Sequence, residues 1–224
     1  MLPDNKAMLP DRDPAHLHPN FRARVRELER RLEEAGLPFK FYEGHRGKKR
    51  QEQGKGNGKS KASFLQSWHN YDCAGDFVGV VGGKWSWHNS LPWAEYGKIA
   101  DDLSLNWAGH WKTMREMVHV QSAEFSYRDL QSGILAEPSA CDEQNLWFNW
   151  FSQWLPGVYD THVGVACVQR LLVLLEQRPG EVDGFWGPKT ARALGRALGI
   201  RTKEYLNSRQ AMTDLLTLVE TELP

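Results

Sequence analysis

The chain has 224 residues, enough for one mid-sized domain or one domain with a small companion. Its 28 Lys and Arg balance 28 Asp and Glu, so no global charge argues for a nucleic acid or an anionic membrane as partner. Cys73, Cys141 and Cys167 are odd in number and form no C-x-x-C pair, which excludes a disulfide framework and points to folding in a reducing cytosol.

Met1-Leu2-Pro3-Asp4 is echoed by Met8-Leu9-Pro10-Asp11, too short a repeat to be a structural unit. The first residues lack the apolar core of a secretory signal, and no 18-residue apolar run is long enough to span a membrane. Residues 1–19 read as an irregular lead-in. Asn20 is placed to cap a helix whose apolar face is Phe21, Val25, Leu28 and Leu32, ended by Gly36. Phe39 and Phe41 then alternate with polar neighbours in a short strand closed by Gly44. The Lys, Gly and Gln-rich run from Lys48 to Lys61 has no apolar period and reads as a mobile loop.

Ser67-Trp68-His69-Asn70-Tyr71-Asp72-Cys73-Ala74-Gly75-Asp76 runs into Phe77-Val78-Gly79-Val80-Val81. Asp76 is therefore expected at the start of a strand and His69 in the loop before it. Trp93, Tyr96, Ala100 and Leu103 share a helical face. Met117 to Gln121 reads as the final strand of this half. Side chains alternate along a strand, so Glu116 and His119 would face opposite ways in a straight one; the chain is expected to bend, with Glu116 in a loop.

Residues 123–145 show no clear period and read as a linker, with room for a short helix. The aromatic run Trp147 to Trp154 reads as a packed helix at a seam between domains. Beyond it, Val165, Val168, Leu171, Leu172 and Leu175 form an apolar helical stripe. Asp183-Gly184 is a turn pair, Pro188 suits the first position of a helix continued by Ala191, Leu194 and Leu198, and Tyr205, Met212, Leu216, Val219 and Leu223 mark a closing helix. Ten Trp is a high count for this length; most of them read as core and packing residues.

Two imidazoles and one carboxylate, His69, Asp76 and His119, make a zinc set that leaves the fourth tetrahedral position to water. Glu116 is then a spare carboxylate, able to take a proton from that water, an arrangement suited to hydrolysis of an unactivated amide at neutral pH. Asp72 is a rival ligand. His16, His18, His88 and His162 read as ordinary core or surface residues, and His45 and His110 lie near the site segments without a role.

Ser67-x-His69-x-x-Asp72-x-Ala74-x-Asp76 resembles the S-x-H-x-x-G-x-A-x-D signature of zinc D,D-carboxypeptidases and L-alanyl-D-glutamate endopeptidases that cut peptidoglycan stem peptides, phage endolysins among them. Glu116-x-x-His119 is similar to that family's second motif, and Asn106 to Trp111 loosely to its W-G-G-D-W segment. The resemblance spans Leu17 to Gln121. Asp72 stands where the family usually has Gly, and Val118 where Pro is common; Asp is among the few residues that tolerate a left-handed conformation. The resemblance implies Arg46 as the cation that stabilises the oxyanion of amide hydrolysis, with Glu116 as general base. A second resemblance, from Thr161 to Gly199, is to a small helical peptidoglycan-binding module: Gln169 on a helix, then Val182-Asp183-Gly184-x-x-Gly187-Pro188-x-Thr190.

The chain is thus expected to be α+β, with a small antiparallel-sheet zinc peptidase domain at 1–122, a linker at 123–145 and a helical peptidoglycan-binding domain at 146–224. The implied protein is a monomeric wall-cutting endopeptidase with no nucleic-acid or membrane partner, held in a host cytoplasm until it reaches the wall. Two readings compete: a D,D-carboxypeptidase, and a non-catalytic wall-binding protein whose metal is structural.

Overall fold

Helix α1 (Pro19–Glu34) forms where the apolar period predicts it, and Phe21, Val25, Leu28 and Leu32 are all fully buried. It begins two residues earlier than expected, with His18 rather than Asn20 at the cap position. Pro19 occupies the first helical position after His18, because its fixed φ and missing N–H suit that place. Asn20 is inside the helix, and its Nδ2 donates to Glu124 at 3.3 Å. The computed structural model describes residues 9–200 and 208–222, and the chain divides between Phe125 and Ser126 into two compact units.

The first unit is built on an antiparallel sheet of β1 (Phe39–Glu43), β2 (Ala74–Val81), β3 (Lys84–Ser86), β4 (Leu105–Trp107) and β5 (His119–Ser122). The order is β1-β2-β5-β4, with β3 also paired to β2. Phe39, Phe41 and Phe77 lie in one core cluster with the buried faces of α1 and of the later helix Trp93–Asp102, each such side chain contributing about 1.5–3 kcal/mol by burial. The opposite face carries Asp76 and His119.

Lys48–Gly56, expected as a loop, is helix α2. Polar contacts hold it, so an apolar period could not reveal it. Gln51 is fully buried, its Nε2 donating to Ser60 Oγ at 2.9 Å and to the Ala62 carbonyl at 2.7 Å. Arg50 Nε reaches Glu43 on β1 at 2.6 Å. Helix α3 (Trp93–Asp102) buries Trp93, Tyr96 and Ala100, as its spacing predicts. The Trp107 ring lies against Gly97 of α3 and Gly109: a Cβ at either glycine would meet that ring at 2.2 or 2.1 Å.

The second unit is helical. Residues 126–145, expected as a linker, are built into it: helix α4 (Tyr127–Gln131) opens on a capping box between Ser126 and Asp129, and Leu130, Leu135 and Ala136 are buried. Short turns carry too few apolar residues to show a period. Arg170 fastens this segment by donating to the Ser132 carbonyl at 2.8 Å and pairing with Glu137. Helix α5 (Gln144–Trp154) places Trp147, Trp150, Phe151 and Trp154 inside this unit's core; Trp147 stacks on Phe151 and donates to the Leu135 carbonyl at 2.8 Å. Helices α6 (His162–Leu174), α7 (Pro188–Leu198) and α8 (Arg209–Glu222) complete it. Met212, Leu216 and Val219 are buried on α8 as expected; Tyr205 and Leu223 lie outside the described residues. No described helix is long and apolar enough to cross a membrane.

Candidate metal centre

Asp76 and His119 are cross-strand partners on β2 and β5, so antiparallel register alone brings these two side chains together. His69 comes from a 3-10 turn, Trp68–Tyr71, that precedes β2. Three hydrogen bonds fasten this turn to the chain leaving β1. His69 Nδ1 contacts the Gly44 carbonyl at 2.7 Å, the Arg46 amide donates to the His69 carbonyl at 3.1 Å, and Asn70 Nδ2 donates to the Arg46 carbonyl at 2.5 Å. Asp72 closes the turn at φ 58°, ψ 22°, the left-handed conformation that its side chain tolerates.

The result is a triangle of donor atoms. His69 Nε2 is 3.2 Å from His119 Nδ1 and 3.3 Å from Asp76 Oδ1, and His119 Nδ1 is 3.1 Å from Asp76 Oδ1. Bonds of 2.0 Å to a tetrahedral ion separate the ligand atoms by about 3.3 Å, so these edges have the length that zinc requires. The outer contacts fix which nitrogen faces inward. With its Nδ1–H given to Gly44, His69 offers a lone pair at Nε2; with its Nε2–H given to Gln121 Oε1 at 3.2 Å, His119 offers one at Nδ1. Asp76 Oδ2 accepts from Arg46 Nη2 at 3.1 Å, leaving Oδ1 in the triangle. Three buried acceptor atoms converging at this range repel one another unless a cation lies among them, so the donor set fits a metal. Among the described residues His69, Asp76 and His119 form a group that can hold a metal ion.

The electrostatics agree. Burial alone would raise the Asp76 pKa, but His69, His119 and Arg46 hold it well below the usual carboxylate range. Burial opposes charge on His119, and Asp76 with Glu116 outweighs it, raising that imidazole's proton affinity. The site attracts positive charge, which a single proton shared among three lone pairs satisfies less well than a divalent ion.

A solved structure similar to this chain is the L-Ala D-Glu endopeptidase ChiX of Serratia marcescens, at 26% identity and a TM-score of 0.40, covering 58% of this chain and 98% of that one. No family model and no curated relative matches the chain.

The remaining sequence candidates fall into distinct places. Glu116 lies in the loop before β5, outside the strand, its amide donating to the Ala108 carbonyl at 3.3 Å. Trp107 Nε1 anchors that loop by donating to the Met117 carbonyl at 2.8 Å. The Glu116 side chain is open to solvent, yet surrounding protein and the nearby Asp76 charge raise its pKa against the opposing pull of His119, His69 and Arg46. Arg46 is spoken for: besides Asp76, its Nη2 donates to Glu43 Oε2 at 2.7 Å. Burial disfavours the charged guanidinium, but Asp76 and Glu43 raise its pKa nonetheless. Glu43 reaches that place through a bulge, which sets it, rather than Tyr42, opposite Asp76.

Asp72 is not in the ligand group. Its Oδ1 takes His45 Nδ1 at 2.6 Å, away from the triangle; the Asp72 side chain is fully buried and that of His45 is partly buried. This gives His45 a partner that spacing could not supply. His110 pairs with Asp101 at 2.8 Å in solvent. Gln121 and Glu43 were missed by sequence reasoning. Gln121 had a signal, since it stands two residues after His119 on one strand and so on the same face.

In the second unit the motif residues hold one another. Gln169 is buried on α6; its Nε2 donates to Asp183 Oδ1 at 2.9 Å and to the Phe185 carbonyl and Thr190 Oγ1 at 3.2 Å each. Its Oε1 accepts from the amides of Asp183 at 3.1 Å and Gly184 at 2.9 Å. Gly184 has φ +73°, and a Cβ there would meet the His162 ring at 2.6 Å, so the loop before α7 needs glycine at that point.

Proposed function

We propose that the first unit is a zinc-dependent peptidase acting on peptidoglycan stem peptides, and that the second unit binds the wall. The observation that carries the reading is the triangle of His69 Nε2, Asp76 Oδ1 and His119 Nδ1 with edges of 3.1–3.3 Å, three ligands with a further coordination position left for water or substrate. A zinc ion bound there supplies a Lewis acid and lowers the pKa of a water toward neutrality. Glu116, outside the triangle and reached by solvent, takes the proton of the attacking water and returns it to the departing amine; its raised pKa brings it closer to the working pH. Arg46 orients Asp76 and adds fixed positive charge beside it, which favours the negative charge that develops in amide hydrolysis.

The motif order of residues 67–76 and 116–119 supports the stem peptide as substrate, and the Gln169 and Val182 to Thr190 pattern supports the wall-binding role of the second unit. Cleavage between L-Ala and D-Glu is the proposed reaction, since it detaches cross-links from glycan as a lytic enzyme must. The protein then acts on the wall after release from a host cytoplasm. The test uses purified sacculi, metal analysis and Glu116→Gln. One zinc per chain, lysis abolished by chelator and restored by zinc, and a Glu116→Gln protein that keeps its metal but loses about 10²–10⁴-fold in turnover are expected. An active Glu116→Gln enzyme contradicts the mechanism.

A further inference from the structure

The second unit contains a solvent-open cavity of about 620 Å³ whose lining includes Arg178, Lys189, Arg192, Arg196 and a single carboxylate residue, Glu176. Acidic residues outnumber basic ones in residues 126–224, so the cations gather here against the sign of their own unit. Lys189, Arg192 and Arg196 stand at i, i+3 and i+7 of α7, hence on one helical face, and span about 10 Å along its axis at 1.5 Å per residue. Arg178 approaches from the segment after α6. There the chain turns through Glu176 at φ 56° and Gly180 at φ +98°. The Lys189 stem is laid against Gly180, where a Cβ would meet Lys189 Cδ at 3.3 Å.

Several arginines elsewhere in the protein are matched with acids. Arg24 pairs with Glu124, Arg30 and Arg31 with Glu27, Arg46 with Glu43 and Asp76, and Arg170 with Glu137. Among the described residues none of the four cations lining the cavity forms such a pair. Four like charges around one concave surface repel unless anions are brought to them, and guanidinium groups match phosphate and carboxylate oxygens in geometry as well as charge.

We infer that this cavity binds an anionic wall polymer through closely spaced oxyanions, with Lys189, Arg192 and Arg196 tracking successive charges and Arg178 closing the opposite side. The inference rests on the proposed wall-binding role of the second unit. Phosphodiesters of a wall glycopolymer and carboxylates of the stem peptides share this chemistry.

The full chain is compared with Arg192→Gln/Arg196→Gln, whose exposed positions leave the core untouched, in co-sedimentation with sacculi and in titration with inorganic tripolyphosphate. With four cations engaged, sacculus affinity is expected to fall on the order of 50-fold between 50 and 200 mM salt, and the variant's salt slope to be about half as steep. Sacculi stripped of phosphodiester polymers assign the source: lost binding points to phosphate, and retained binding of equal slope to carboxylate. A variant that binds sacculi with unchanged affinity and slope overturns the cavity assignment while leaving the wall-binding role standing. A chain that ignores sacculi but binds tripolyphosphate through these arginines keeps the anion site and removes the wall role. Equal affinity for single-stranded DNA of matched charge overturns the wall polymer as ligand.

Discussion

Replacing Gln121 by Leu removes an acceptor and changes little else. Gln121 and His119 are both buried, and Gln121 Oε1 is 3.2 Å from His119 Nε2. Without that acceptor the Nε2–H is stranded in a site that water barely reaches, at a cost of about 1–3 kcal/mol. The imidazole then loses its preference for the tautomer that offers Nδ1 to the triangle. Both effects weaken metal binding, and removal of such outer contacts typically costs about 10–100-fold in affinity. Competition against a chromogenic chelator measures the loss directly. Gln121→Glu, which keeps an acceptor in place, is expected to stay near wild type or bind more tightly, and a melting curve separates weakened ligation from unfolding. If Gln121→Leu binds zinc as tightly as wild type, the inward-facing Nδ1 of His119 is not set as argued.

Other perturbations have equally definite outcomes. Asp72→Gly restores the glycine of the resembling motif and relieves a left-handed backbone by about 1–2 kcal/mol. It also strips His45 of its buried partner, which costs about 3–5 kcal/mol, so net destabilisation on denaturation is expected; a more stable variant contradicts the role given to the pair. Gln169→Leu leaves the buried Gly184 amide without an acceptor and cuts the ties to Asp183, Phe185 and Thr190. A loss of about 2–5 kcal/mol is expected, read as a lower unfolding midpoint for the second unit, and an unchanged midpoint refutes the hub. His18 is fully buried, and burial with the nearby Arg22 pushes its pKa down from 6.5 to about 3. The unfolded chain takes up the proton first, so this contribution to stability is complete above pH 6.5 and declines as pH falls toward 3, by on the order of 5 kcal/mol. His18→Asn should flatten that part of the stability profile, and an equally steep profile would show that other groups carry it.

Much of the first unit is legible because apolar side chains repeat at the period of their element. The faces of α1 and α3 are of this kind, as is the alternation of Phe39 and Phe41. The three metal-centre residues are legible for another reason: order and spacing are local properties of two short segments, and the bend that puts Glu116 outside β5 follows from strand alternation alone. What escapes is held by polar contacts between distant segments. Helix α2 rests on Gln51 and Arg50 rather than on an apolar stripe. The place of Glu43 depends on a bulge that a sequence does not mark. The pairing of His45 with Asp72 spans 27 residues and needs the fold to bring it about. Residues 126–145 hide their burial because Leu130, Leu135 and Ala136 are spread over short turns, and Pro19 rather than Asn20 decides where α1 begins.

In the proposed mechanism His69, Asp76 and His119 hold a metal that works with Glu116 to cut a stem-peptide amide. Mass spectrometry of a peptidoglycan digest tests it most directly, with the zinc-loaded protein, the chelated protein and Glu116→Gln run side by side. New amino termini at D-Glu, matched by L-Ala-terminated remnants on glycan, are expected from the zinc-loaded protein alone. Identical fragments from all three samples, or no cleavage by any of them, would rule out metal-dependent peptidase action with Glu116 as base, and release of D-alanine alone would assign the metal chemistry to a carboxypeptidase instead.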